Sequence, residues 1–129
     1  MKNNLRRYYP IKGSEGECNG HKTKRMVKCY LSYELGGINW ATGKQVARGY
    51  YAHIFPVGIG DLSNDGRCVM ETYAAFSGGK WLLVECSRQS QKKEAEAAKL
   101  FEEKHKEMVL QLFAQSPDKD NIDFEHPEN

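Results

Sequence analysis

The sequence predicts an α+β domain: an antiparallel sheet of four to five strands with one long C-terminal helix packed on one face. Three observations predict it. Residues 25–35 alternate strictly, with Val27, Cys29, Leu31, Tyr33 and Leu35 on one side and Lys28, Tyr30, Ser32 and Glu34 on the other. Period two over that length marks a strand. Residues 46–57 and 67–88 are rich in β-formers and are punctuated by Gly and Pro, with Asn64-Asp65-Gly66 between them, as strands and turns require. Beyond residue 90 the period changes, and Ala98, Phe101, His105, Met108 and Leu112 recur by threes and fours, which is the apolar stripe of an amphipathic helix.

Each element follows in order. Residues 5–12 read as a short edge strand, because Pro10 lacks the N–H that a central position needs. Residues 13–24 are polar and glycine-bearing and read as a loop. After the strand at 25–35, Gly36 to Lys44 breaks the alternation and reads as a long connecting loop. Residues 46–57 form the next strand, with Gly49 marking a bulge and Pro56 its end. Gly58 to Gly66 reads as a loop with Asn64-Asp65-Gly66 as its turn.

Residues 67–76 and 81–88 then read as a hairpin about Gly78-Gly79, since a primed two-residue turn suits Gly at both positions. In that register Phe76 faces Trp81, Ala75 faces Leu82, Tyr73 faces Val84 and Glu71 faces Cys86. Both faces are apolar near the turn, which predicts cover on both sides. The helix runs from about Ser90, a plausible N-cap, to Ala114, with Ser116-Pro117 as its stop. Residues 117–129 hold five acids and one Lys and read as a flexible acidic tail on a single domain spanning 1–116.

A chain of 129 residues suits one core. No apolar run approaches the roughly 20 residues needed to span a bilayer, so no membrane partner is expected. The first residues, Met1 to Arg7, show no apolar stretch after their charges, which predicts a cytoplasmic protein. In that compartment Cys18, Cys29, Cys68 and Cys86 are expected as thiols. The net charge of +2 is split: residues 1–93 carry 15 Lys/Arg against 7 Asp/Glu, and residues 94–129 carry 4 against 10. A basic body with an acidic C-terminal part points to an anionic partner or to charge-steered self-association. The apolar surplus of hairpin and helix stripe also predicts a homo-oligomer.

No catalytic motif stands. Gly37 to Gly43 has five residues between the glycines, Gln45 in place of the hydroxyl, and a strand after it, so it is no P-loop. Cys18 and His21 have the spacing of two zinc ligands without a second close pair. No metal or cofactor is expected, and the chain is read as no enzyme. The stronger signal is basic residues interleaved with aromatics: Arg6, Arg7, Tyr8 and Tyr9, then Lys24 and Arg25, then Trp40, Lys44, Arg48, Tyr50 and Tyr51. Aromatic faces stack bases while Lys and Arg track phosphates. The same residue types dominate protein-interface hot spots. Tyr50 and Tyr51 alternate faces, so at least one of them belongs to the core.

The stretch Tyr30-Leu31-Ser32-Tyr33-Glu34-Leu35-Gly36-Gly37, with Asn39-Trp40-Ala41-Thr42-Gly43, Arg48-Gly49-Tyr50-Tyr51 and Phe76-Ser77-Gly78, resembles small proteins of phages and mobile elements in Bacteroidetes-type bacteria over roughly residues 25–114. The resemblance implies an antagonist of host defence such as an anti-CRISPR protein, and it brings no catalytic residues. The expectation is therefore a non-enzymatic inhibitor that binds a host defence nuclease or ribonucleoprotein through the basic and aromatic residues named above. The alternative is a stand-alone module that binds RNA, other nucleic acid or a nucleotide.

Overall fold

The computed structural model describes residues 5–18, 20–60, 68–70 and 78–128. An antiparallel sheet is covered on one face by a long helix, the α+β architecture expected. Its spine is β3 (His21–Glu34) paired with β6 (Gly49–Gly60), in register from Thr23↔Gly60 to Glu34↔Gly49. The outer edge of β3 takes β1 (Arg6–Pro10) and the short β2 (Gly16–Cys18). The outer edge of β6 takes β7 (Cys68–Met70) and β8 (Gly79–Glu85). A separate two-stranded ribbon joins β4 (Gly37–Ile38) to β5 (Gln45–Val46). The helix α1 spans Gln91–Leu112.

The alternation read from the sequence sorts the faces. Val27, Cys29 and Leu31 are buried toward the helix, with Ala52 and Ile54 across from Leu31 and Cys29. Helix residues Ala97, Phe101, Met108 and Val109 close this core. Burying one ring the size of Phe101 contributes about 1.5–3 kcal/mol. Ser90 caps α1 as expected, its Oγ accepting from the Lys93 N–H at 3.5 Å.

Several expectations are corrected. Residues 13–24 are not one loop, because β2 and the start of β3 form a tight hairpin with Cys18 opposite His21. Leu35 leaves the buried face, since the chain turns at Gly36, whose φ is +70°. A Cβ there would sit 2.5 Å from the Val46 carbonyl oxygen, so only glycine fits. Pro56 does not end its strand. It lies inside β6, between the stretches paired with β8 and β7, where no described strand asks for its N–H. The bulge expected near Gly49 is present: the register slips between Tyr50 and Tyr51 and leaves Leu83 as the extra residue of β8.

The partner of β8 is β6, with Tyr50 opposite Val84 and Ala52 opposite Trp81. Gly79 begins that strand opposite Ile54 and has no positive φ, so the primed Gly78-Gly79 turn is not formed. The pairings proposed for Glu71, Tyr73, Ala75 and Phe76, and the turn at Asn64–Gly66, lie outside the described residues.

The C-terminal segment is docked. Tyr8 and Glu128 exchange backbone hydrogen bonds of 3.2 and 2.7 Å, the Asp123 N–H donates to the Pro10 carbonyl at 2.9 Å, and the Lys12 N–H donates to Asn121 at 2.7 Å. Ile122 is buried and bridges Ile11, and Phe124 meets Tyr9 edge-on at 5.0 Å. The segment thus extends the sheet along β1. Its composition argued for a free tail, but two apolar residues and an unpaired strand edge outweigh that argument.

Candidate functional site

The residues singled out in the sequence divide into four groups. Tyr9, Tyr50 and Tyr51 are buried, so they are corrected from binding residues to core. The Tyr9 hydroxyl meets His105 Nε2 at 2.5 Å. Tyr50 lies in the helix-side core and its hydroxyl donates to the Ser90 carbonyl at 3.3 Å. Tyr51, on the other face, donates to the Ala47 carbonyl under the Lys80 ammonium. A buried hydroxyl needs a partner, and each has one.

Arg7, Lys24 and Arg25 are paired within the chain. Arg7 reaches Glu102 on α1 and Lys24 reaches Glu128. Arg25 grips both oxygens of Asp118 at 3.0 and 3.1 Å. These three use acids of the helix and the C-terminal segment, so the charge split is partly satisfied internally. Arg48 is a positioning residue: Nε donates to the Leu35 carbonyl and Nη1 to the Ser87 carbonyl, each at 2.9 Å. Arg6 and Tyr8 stand on the sheet face away from the helix, opposite Tyr30 and Lys28.

Trp40 and Lys44 form the fourth group, on the β4–β5 ribbon. The segment read as a connecting loop is a built hairpin. Asn39 donates its N–H to the Lys44 carbonyl at 2.9 Å and accepts from Gly43 at 2.7 Å. Its Oδ1 accepts from the Ala41 N–H at 2.9 Å, so the tip is an Asx turn. Arg48 ties the base to the segment leading into α1. Trp40 is 97% exposed, Ile38 67% and Leu35 66%. A shallow cavity of about 270 Å³ opens beside Leu35 and Ile38, lined also by Glu34, Asn39, Val46 and Lys80.

At the foot of the hairpin lies a polar cluster that sequence reasoning missed. Glu34 Oε2 is 2.6 Å from His53 Nε2, Ser32 Oγ is 2.8 Å from the same nitrogen, and Lys80 Nζ is 2.9 Å from Glu34 Oε1. Burial pushes the Glu34 carboxyl up, but Lys80 and His53 outweigh that and hold it below the usual range. Burial holds the His53 imidazole low against the pull of Glu34. A neutral ring facing that carboxylate carries its proton on Nε2. Ser32 therefore meets an N–H and not a lone pair, so this His does not activate it as a nucleophile. The signal was present as three polar residues, Ser32, Glu34 and His53, at strand positions of matching parity, but only the β3–β6 register brings them together.

The same face gathers Lys28 with three rings. Its Nζ lies 5.7 Å from the Tyr8 centroid, 5.2 Å from Tyr30 and 5.6 Å from Phe55. Tyr30 also stacks on His53 at 4.6 Å and 3°. Among the described residues no group of His, Cys, Asp and Glu is arranged to hold a metal ion, and the side chains of Cys18 and His21 are not among those described.

No protein-family model, curated protein or solved structure matches the chain.

Proposed function

We propose that this chain is a non-enzymatic binding protein that seats its Trp40 hairpin in a protein partner. The observation that carries the reading is Trp40, 97% exposed on a hairpin whose turn and base are pinned by hydrogen bonds. Exposed tryptophans on ordered elements are what interface hot spots are made of. The Asn39 turn and the Arg48 clamp hold the hairpin in shape before contact, which reduces the ordering cost of association. A protein suits this surface better than nucleic acid does. Lys44 is exposed there, but Arg48 is engaged with carbonyls, and phosphate recognition draws on several cations together.

The resemblance to mobile-element proteins selects the partner class: a host defence nuclease, RNA-guided, with the chain as its phage-encoded inhibitor in the host cytoplasm. No described helix is long and apolar enough to cross a membrane. The test titrates the chain against RNA-guided nucleases of Bacteroidetes-type hosts, reading target cleavage and binding heat. Trp40→Ala is expected to weaken binding by about 2 kcal/mol, roughly thirtyfold, with an unchanged melting temperature. Binding that ignores Trp40→Ala, or nucleases that neither bind nor slow, would overturn the proposal.

A further inference from the structure

The register of the sheet assembles a second surface, distinct from the hairpin. Residues of β3 with even numbers face away from the helix: Lys22, Lys24, Lys28, Tyr30, Ser32 and Glu34. Pairing adds Arg6 and Tyr8 from β1, His53 and Phe55 from β6, and Lys80 from β8. The face thus carries Arg6, Lys22, Lys24, Lys28 and Lys80 against the carboxylates Glu17, Glu34, Glu85 and Glu128. Glu34 is taken by Lys80 and His53, and Glu128 by Lys24, while Glu17 lies across from Lys22.

Lys28 is the informative member. Among the described residues no carboxylate neutralises it, and three half-buried rings hold its ammonium in place. A cation positioned by aromatic faces keeps its charge available to an anion. Lys22 and Lys24 stand one two-residue interval apart, about 6.6–6.8 Å along a strand, and Met26, buried against Val57, separates Lys24 from Lys28. That interval is close to the step between successive phosphates of an extended single strand. Glu128, from the docked C-terminal segment, sits on Lys24 where such a phosphate would lie.

We infer that the sheet face away from the helix binds single-stranded nucleic acid, with the backbone along Lys22, Lys24, Lys28 and Arg6 and unpaired bases against Tyr8, Tyr30, His53 and Phe55. Sheets that present rings and cations together bind single strands in this way. The cations and rings that carry this surface include no hairpin residue, while Glu34 and Lys80 border both, so either proposal stands if the other fails.

The test measures anisotropy of labelled oligouridine and oligothymidine of about 15 nucleotides, near the upper end of what one such surface covers. Titrations run at several salt concentrations, with a duplex of equal length beside them. Four phosphate contacts predict a log–log salt slope near −2.8, at about 0.7 per contact. The pair Lys22→Gln and Lys24→Gln is expected to lower it to about −1.4 and weaken binding roughly tenfold or more at low salt. Glu128→Gln, which removes the competing carboxylate, is expected to strengthen binding. Lys92→Gln with Lys99→Gln on the helix is the charge control and leaves the slope unchanged. Preference for oligouridine or for oligothymidine tells RNA from DNA as the natural ligand, and either supports the site. Absence of salt-dependent binding to both strands, a duplex bound as tightly as a single strand, or a slope that the β3 pair does not move would overturn it.

Discussion

The buried pair Tyr9 and His105 makes the sharpest test of how this core is held. His105 Nδ1 lies 2.8 Å from the Phe101 carbonyl. A carbonyl only accepts, so Nδ1 carries the proton and donates. Nε2 is then the acceptor, and the Tyr9 hydroxyl donates to it at 2.5 Å. His105 is 1% exposed and Tyr9 2%, so no water replaces a lost partner. Tyr9→Phe keeps the ring and its packing on Phe124 and removes only the donor. A buried acceptor left without a partner costs about 1–3 kcal/mol. At about 2 kcal/mol, the melting temperature of a chain this long falls by roughly 6–10 °C.

Urea unfolding of wild type, Tyr9→Phe and the double variant Tyr9→Phe with His105→Leu reads the effect at constant m. The double variant removes donor and acceptor together, and replacing both by apolar groups is close to neutral. It is expected to recover more than half of the single loss. The Phe101 carbonyl keeps its helical bond to the His105 N–H, so no new orphan appears. A Tyr9→Phe cost under about 0.5 kcal/mol, or a double variant less stable than the single, would refute the assignment of donor and acceptor.

Three further outcomes follow from the same geometry. Burial holds the His105 and His53 imidazoles below their ordinary 6.5, so the folded state favours their neutral forms. Their contribution is complete above that value and is lost as pH falls through the folded-state values. Urea midpoints are therefore expected to drop between neutral and mildly acidic pH, and His105→Leu should flatten the drop. Gly36→Ala places a methyl 2.5 Å from the Val46 carbonyl at a φ of +70°. It is expected to cost about 1–3 kcal/mol and to shift amide resonances of the hairpin, and a silent spectrum would contradict the turn as described. Self-association remains a proposal for which the exposed Leu35, Ile38 and Trp40 supply the described apolar surface. Sedimentation velocity from low to high micromolar should show concentration dependence that Trp40→Ala abolishes, and a single monomeric species throughout would refute it.

The fold was legible where periodicity is strong. The alternation through Val27, Cys29 and Leu31 and the stripe through Phe101, His105 and Met108 each named the buried side, because burial of one face is what imposes a period, while Ala98 and Leu112 at the ends of that stripe are only half-buried. It was not legible where partner choice decides. Nothing local tells β8 to pair with β6, since any β-rich run satisfies a neighbour's backbone. The bulge at Leu83 shows the adjustment that choice requires. The hairpin at Gly36–Val46 was missed for a related reason. Its two strands are two residues long, too short to show alternation, and the Asn39 side chain rather than an apolar pattern holds its turn.

The site was legible in kind and not in membership. Interleaved cations and rings were read as one surface, yet a strand sends neighbours to opposite faces. Tyr8 and Tyr9 therefore part company, Tyr8 to the cationic face and Tyr9 to the core. Tyr50 and Tyr51 also part, and both are still buried, because Lys80 lies over Tyr51 on the outer side. The charge split misled in a different way. A sum over residues 1–93 and 94–129 shows that opposite charges exist, and it does not show whether they meet within the molecule. Here the helix and the C-terminal segment fold back onto the basic strands, and Arg7, Lys24 and Arg25 find Glu102, Glu128 and Asp118. Such partly exposed pairs add little stability, up to about 1 kcal/mol each, so their chief effect is to neutralise Arg7 and Arg25 within the chain and to set Glu128 in competition with an outside anion for Lys24. Arg6 and Lys28 have no such partner among the described acids, and both lie on the face away from the helix. A basic sequence thus becomes a basic surface around Arg6 and Lys28, which no described acid meets.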